Sequence, residues 1–502
     1  MAQNQRFDLA IVGGGTAGCI LAARIAENGV HPRTGEKLRI ALLEAGPDFR
    51  GEARPGYGIP LRRRVFTNIP HDFTGSGISR SVNPRYSMRG GAKILGGSSV
   101  AFGGQSHIPF PADYANWNYT TGVDWTEENF APAASEVRRV FNVHADKEET
   151  LSPGQLRFRT VSQSLGYDIQ PYEGAKKNCI FCGFCGNNHM CKYDAKMSTL
   201  LTHVPDAEKY GVEIITDVMA ERLLFQGSRT TGVLYTQAGE ERMIEADKIL
   251  LSCGAVQTPQ LLWKSGFGPR DLLGSATVIA NQNVGRRAHC HPENYIWALF
   301  PEPIKDGDRG WNAGTYFLHR MNKYGHDTLF FQDSGMGGGA DPERFITSEF
   351  APEFGREIKE FMNVGRRRIG RVVLWTNPKE AEGYLDDQLR LIYDTDHPMV
   401  MGRLTEALDI AEEILQKMGA IRMTPKENLL KTIRLPHLAS TCRAGVDPKP
   451  SVVDSHFRSH DADNLFICDA SVLPRTAIGS LCMAVATVAT FAAQRLVADH
   501  FS

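Results

Sequence analysis

Two groups of residues in this chain have the types and spacing to do chemistry. The first is Gly13-Gly14-Gly15-Thr16-Ala17-Gly18, a G-x-G-x-x-G run. Phe7–Val12 before it reads as a short apolar strand, and the pattern after it, through Ala26 to Gly29, reads as a helix. In that setting Gly13 permits a tight turn, Gly15 lets the backbone approach a pyrophosphate, and Gly18 lets the helix pack close on the strand. The helix N-terminus offers unpaired N–H groups and a positive dipole end to phosphates. A second strand, Leu38–Leu43, ends in Glu44, whose carboxylate suits ribose hydroxyls. The polar loop His31–Lys37 stretches the usual spacing of ~20 residues between glycines and acid. Such a fingerprint specifies a dinucleotide without choosing between NAD and FAD.

The second group is Cys179, Cys182, Cys185 and Cys191, spaced C-x2-C-x2-C-x5-C. Three readings stay open for it. Iron–sulfur ligation uses similar spacing, although the last gap here is longer and no proline follows. Structural zinc normally separates its ligand pairs by a longer insertion. Free thiols or disulfides are the third reading. The other cysteines (Cys19, Cys253, Cys290, Cys442, Cys468, Cys482) sit in apolar or glycine-rich contexts and read as reduced core thiols.

The elements that must position these groups belong to a chain of 502 residues, 42% hydrophobic and 23% charged. That length supports two domains, or one domain with large insertions. A formal net charge of −1 gives no basis for a nucleic-acid partner. The basic runs Arg62–Arg64 and Arg366–Arg368 with Arg371 read as solvated faces. Met1–Asp8 is polar, with no apolar leader, so a cytoplasmic location is expected, with export alongside a partner subunit left open. The uncharged stretch Thr476–Gln494 is rich in Ala, Thr, Gly, Ser and Val, and is expected to be a buried core helix with no membrane span. Arg403–Met418 places Leu404, Leu408, Ala411, Leu415 and Met418 on one helical face, with Gly419 as a stop signal. The glycine-rich loop Asp333–Ala340 is either a lid or a surface insertion.

Beyond Glu44, several segments share a resemblance. They are Ala45-Gly46-Pro47, then Gly90-Gly91-Ala92-Lys93-Ile94-Leu95-Gly96-Gly97-Ser98-Ser99, then Phe102-Gly103-Gly104 with Pro111-Ala112-Asp113-Tyr114 and Trp117. Gly254–Gly266 comes next, departing from the usual pattern only at Phe267, and then Asn283-Val284-Gly285-Arg286 with His291. Ser451–Asp454 and Asn464–Ser471 complete the set. Together these resemble the glucose–methanol–choline oxidoreductases over essentially the whole chain. The resemblance implies an α/β fold in which a Rossmann-like FAD-binding domain is interleaved with a substrate domain built on an antiparallel sheet with helices. Residues 1–110, 195–292 and 436–502 would form the first. Residues 111–194, carrying the Cys-rich segment 179–191, and 293–435 would form the second.

The same resemblance assigns the cofactor as FAD and distributes its contacts. Gly96, Gly97, Ser98, Phe102 and Gly103 would wrap the pyrophosphate and ribityl region, and Asp469 would bind ribityl hydroxyls. Val218, Ala470 and Leu481 complete the contacts. The helix opened by Gly479-Ser480 would aim its N-terminus at the flavin. Relatives with covalent flavin carry a histidine within a few residues of Gly-Gly-Ser-Ser; here those positions are Val100 and Ala101, and His107 lies too far along. Non-covalent FAD is therefore expected. His437, in His-Leu-Ala-Ser-Thr-Cys, resembles the family's general base, and a neutral imidazole suits that task. The position that usually carries a second His or Asn is Ser480, a departure. Ser480 either does a lesser job by hydrogen bonding, or Arg475 or His291 moves in.

The implied reaction is oxidation of an alcohol by hydride transfer to the flavin. Electrons would pass to a protein partner or small subunit if the cysteines hold a cluster, and to O2 otherwise. The implied substrate is a sugar, polyol or aromatic alcohol, and Trp311, Tyr316, Trp375 and Tyr393 lean it toward sugars or aromatic alcohols over steroids. Competing expectations are a cyanohydrin lyase of the same fold and a flavoprotein subunit of a larger assembly.

Overall fold

A computed structural model describes residues 5–50, 66–68, 71–73, 89–182, 191, 193–305, 314–321, 327–333, 350, 352, 355–378 and 380–502. The apolar runs at both strands flanking the glycine loop are buried throughout, from Leu9 to Val12 and from Ile40 to Leu43. Residues buried on both faces are what a parallel sheet requires. The first sheet contains β1 (Gln5–Val12), β2 (Ile40–Leu43), β3 (Glu213–Ile215), β4 (Val218–Gln226), β5 (Arg229–Gln237) and β6 (Glu240–Leu251). They lie in the order β4-β5-β6-β1-β2-β3, with the strand Leu465–Ile467 pairing on β6. β1, β2, β3, β6 and Leu465–Ile467 run parallel, and Val12 stands beside Leu43 and Leu251, Leu43 beside Ile215, and Leu251 beside Ile467. Five carboxyl ends therefore finish at one edge. In open α/β sheets that edge is where ligands bind.

The second sheet is antiparallel. Its strands are β7 (Glu293–Leu299), β8 (Thr315–Met321), β9 (Asp327–Gln332) and β10 (Ile369–Thr376), ordered β7-β10-β9-β8. Arg422–Met423 flanks β7 and Gln170–Pro171 flanks β8. Every residue of β10 is buried, and one helix, Pro398–Lys417, packs across β10 and β7. In that helix Leu404, Leu408, Ala411 and Leu415 are fully buried, and Gly419 after it adopts φ +87°. It begins five residues earlier than the apolar spacing indicates, because Pro398 takes the first helical turn and the His397 imidazole accepts the Met399 N–H.

The helices that bear on function are α1 (Thr16–Asn28), α2 (Pro111–Thr121), α3 (Gly254–Lys264), α4 (Pro398–Lys417) and α5 (Leu481–His500). α5 is apolar on all sides and packs against α1. Among the described residues it is the one helix long and apolar enough to cross a membrane, yet it lies mostly inside the molecule. A helix hydrophobic all round is at home in a core.

Of the two basic runs, Arg62–Arg64 lies outside the described residues. The second is tied into the structure. Arg368 donates to the Phe300 carbonyl, Arg366 to the Met362 carbonyl, and Arg371 stacks on Tyr295 and Trp297. Of the loop Asp333–Ala340 only Asp333 is described. Its buried carboxylate accepts the N–H groups of Gly314 and Thr315 and the Thr315 hydroxyl.

Candidate active site

A cavity of about 490 Å³ opens at the shared carboxyl edge of the parallel strands. β1 delivers the glycine loop, β2 delivers Glu44, β6 delivers Ser252–Gly254, and Leu465–Ile467 delivers Asp469 and Ala470. The loop is packed where its sequence demands. A Cβ on Gly18 would fall 1.9 Å from the Gly13 carbonyl, and one on Gly97 would fall 2.6 Å from Gly15 Cα. At Gly15 a Cβ would meet nothing within 4 Å and would project into open space. That open backbone sits at the N-cap of α1, where no side chain caps the helix. Free helical N–H groups facing a cavity form an anion site.

Glu44 is buried. Its Oε2 accepts the Gly14 N–H at 2.8 Å and its Oε1 accepts the Gly46 N–H at 2.7 Å. Burial raises its carboxyl to about 7, and the two N–H donors restrain the rise. Asp469 accepts from the Gly254 N–H (2.9 Å), the Thr258 hydroxyl (2.6 Å) and the Ser471 N–H (2.7 Å). Gly13, Gly15, Glu44, Gly97, Ser98, Phe102, Gly103, Val218, Asp469, Ala470 and Leu481 all line the cavity, as do His437 and Ser480. Gly18 and Gly96 stand behind the wall. Gly96 instead donates its N–H to the Gly14 carbonyl at 2.7 Å, locking the two glycine segments together.

His437 has φ +65° and Ser440 has φ +72°. Both lie in the left-handed region that costs an L-residue roughly 1–2 kcal/mol, and non-glycine residues there cluster at functional sites. The Thr476 hydroxyl holds the strained His437 carbonyl at 3.0 Å. On the ring, His437 Nδ1 lies 2.9 Å from His291 Nδ1. His291 is fully buried and stacked at 15° on Trp375, and its Nε2 makes no hydrogen bond to a described residue. Burial lowers both imidazoles, His437 to about 4 with Arg434 contributing, and His291 well below its ordinary value with His437 contributing. Both rings are neutral near pH 7. One of the two facing Nδ1 atoms carries the proton of this bond; with it on His437, His291 Nδ1 is the acceptor. His437 Nε2 then carries a free lone pair.

The segment between Pro474 and Ser480 is pinned from several directions. Asp113 on α2 accepts the Ile478 N–H through one oxygen and the Phe110 N–H through the other, both at 2.8 Å. Trp375 donates to the Ile478 carbonyl (2.8 Å), Trp117 to the Arg475 carbonyl (2.9 Å) and Asn377 to the Thr476 carbonyl (3.1 Å). Arg475 does not move into the position opened by Ser480; its guanidinium donates to the Asn377 carbonyl and faces His289. Nor does His291, which partners His437 instead. The residue that does approach Ser480 is His107, with Nδ1 3.1 Å from Ser480 Oγ. Nothing in its local sequence signals this.

Of the aromatic residues, Trp375 lies beside His437, with ring centroids 5.8 Å apart, and Tyr316 lies beside His107 at 4.9 Å. Tyr393 is a core residue whose hydroxyl donates to the Ala381 carbonyl. Trp311 and Cys185 lie outside the described residues. Among the described residues Cys179, Cys182 and Cys191 do not converge as a group that one ion could bridge.

Two family models, both described as GMC oxidoreductase, match residues 7–293 and 386–489. A long-chain-alcohol oxidase of Arabidopsis thaliana is 23% identical over 94% of this chain, which spans 65% of that protein's length. An oxygen-dependent choline dehydrogenase of Staphylococcus saprophyticus is 24% identical, covering 95% of this chain and 92% of that one. Among solved structures, pyridoxine 4-oxidase from Mesorbium loti superposes with a TM-score of 0.73 at 22% identity, covering 98% and 99% of the two chains. Formate oxidase of Aspergillus oryzae does so with a TM-score of 0.76 at 18% identity, covering 99% of each.

Proposed function

The chain belongs to the GMC oxidoreductase family, and from that premise we propose that it oxidises an alcohol to a carbonyl compound with FAD held non-covalently in the glycine-lined cavity. The observation that carries this reading is His437, a neutral, strained imidazole on the cavity wall whose second nitrogen is committed to His291. Gly13–Gly15 and the free start of α1 suit the pyrophosphate, Glu44 the ribose, and Asp469 the ribityl chain. Gly97, Ser98, Phe102, Gly103, Val218, Ala470 and Leu481 complete the walls. An added Cβ at Gly15 would fill space the cofactor needs. Bound FAD supplies the hydride acceptor.

Loss of a hydride from the carbinol carbon leaves a carbonyl only if the hydroxyl proton departs too. His437 Nε2 takes that proton, and the charge it gains is met by the Nδ1–H bond to His291. His291 thereby selects the tautomer of the base and steadies its protonated form. Trp375 stands behind His437, with Tyr316 and Phe330 stacked beyond it, so these rings brace the base from the core. The oxidase names among the relatives favour O2 as electron acceptor.

The test is anaerobic mixing of the FAD-loaded protein with aryl carbinols, sugars and aliphatic alcohols while following flavin absorbance. Bleaching by an alcohol supports the proposal. A flavin that stays yellow with every alcohol while a cyanohydrin is cleaved would overturn it in favour of the lyase. Oxygen uptake with the active alcohol, beside iron and sulfide analysis of the same sample, separates O2 from a protein acceptor.

A further inference from the structure

Ser480 occupies the N-cap of α5, where a serine hydroxyl ordinarily accepts one of the first helical N–H groups. It makes no such bond. Two polar groups of one segment surround its hydroxyl instead: His107 Nδ1 at 3.1 Å and the Gln105 carbonyl at 3.4 Å. His107 Nδ1 also faces the Ser480 backbone N–H at 3.5 Å and the Tyr172 hydroxyl at 3.3 Å. That N–H can only donate, which favours the tautomer with Nδ1 unprotonated and the ring proton on Nε2. Around the ring Tyr172, Tyr316 and Phe330 stand at 63–81° to its plane. Edge-on contact of that kind suits an N–H that has no polar partner, and Nε2 has none. The approach is built into the chain, because a Cβ on Gly479 would lie 2.7 Å from His107 Cβ. His107 is 3% exposed and does not itself line the cavity, whereas Ser480 does.

We propose that His107 is a positioning residue: its Nδ1 draws the Ser480 hydroxyl proton away from the cavity, so that Ser480 presents oxygen lone pairs to the substrate. The second polar group of the site is then a hydrogen-bond acceptor. Its natural ligand is an alcohol bearing a second donor, such as a neighbouring hydroxyl or a protonated nitrogen, because the reacting hydroxyl gives its own proton to His437. This rests on the alcohol-oxidising reading of the cavity, but the His107–Ser480 pairing can be tested without it.

In holoenzyme labelled with ¹⁵N-histidine, the His107 signals are assigned by their loss in His107→Asn. Nδ1 is expected to be unprotonated at neutral pH and to shift on Ser480→Ala. A protonated Nδ1, or no shift, overturns the pairing whether or not any alcohol is oxidised. With an alcohol that bleaches the wild-type flavin, His107→Phe is expected to lower the reduction rate about tenfold, the worth of one hydrogen bond. Flavin content and melting temperature should hold. His107→Asn, which keeps an acceptor near the Nδ1 position, restores most of the rate. In a Ser480→Ala background His107→Phe costs nothing further. Additive losses, or full activity in His107→Phe, overturn the proposal. If no alcohol bleaches the wild type, the functional reading falls and the NMR result alone decides the pairing.

Discussion

Replacing His291 with phenylalanine separates positioning from packing. The new ring keeps the stack on Trp375, 5.6 Å away and nearly parallel, and deletes the acceptor 2.9 Å from His437 Nδ1. His437 is then left with two poor choices. It can keep its proton on Nδ1, unpaired in a buried pocket, or shift it to Nε2 and lose the lone pair that accepts the substrate proton. A buried donor without a partner costs about 1–3 kcal/mol. Carried into the barrier, that is roughly a 5- to 150-fold slower reaction. The protonated base also loses its charge-assisted bond, so the pKa of His437 falls and the acid limb of the rate moves to lower pH, not higher. Stopped-flow flavin reduction at saturating alcohol from about pH 2.5 to 8 reads both effects, and His291→Asn, which offers an oxygen near the lost nitrogen, is expected to recover part of the rate. Overpacking by the larger ring can lower the melting temperature as well. A lowered melting temperature with wild-type reduction rate and an unmoved acid limb would refute the positioning role.

The wild-type enzyme is expected to keep its activity well below the usual histidine range, because burial lowers His437 to about 4 and the base is active only when neutral; a log kcat/KM profile that falls off near pH 6.5 would contradict this. Asp113→Asn cannot accept both backbone N–H groups, since its amide nitrogen must face one of them; a stability loss of about 2–3 kcal/mol in urea denaturation is expected, with slower flavin reduction as Ser480 shifts. Ser440→Gly relieves a left-handed φ of +72° and removes a buried hydroxyl with no partner; a rise in stability of roughly 0.5–1 kcal/mol is expected, visible as a higher melting temperature with unchanged flavin content. Gly15→Val places a side chain in the open space of the loop, and the purified protein is expected to lack flavin while keeping its far-UV circular dichroism.

The residues readable from sequence and those that are not differ in how their neighbours are encoded. Gly13, Gly18 and Glu44 sit within one β-α-β stretch, so spacing along the chain carries their three-dimensional relation, and the parallel register that brings Val12, Leu43, Leu251 and Ile467 to one edge follows from that topology. The motifs that single out His437 and Asp469 point to residues that do line the same cavity. His107 lies too far from Gly-Gly-Ser-Ser to reach a flavin covalently, but that criterion counts only along the chain. What brings it to the site is Gly479, near the other end of the sequence, through a contact only tertiary packing can make. Aromatic residues pose the same difficulty in another form. Trp375 and Tyr393 carry the same lean on substrate class in the sequence, yet one stands against His437 and the other ties a core loop to the Ala381 carbonyl. Composition cannot separate them, because burying a large ring stabilises a core and a pocket alike. The departures are more informative than the matches. A serine where a charged or amide group is usual leaves a polar position unexplained, and the structure answers it with a buried histidine that no motif predicts. At Gly479 the missing Cβ is what lets the His107 segment close in beside Ser480, and that packing reason shows only once both segments are in place.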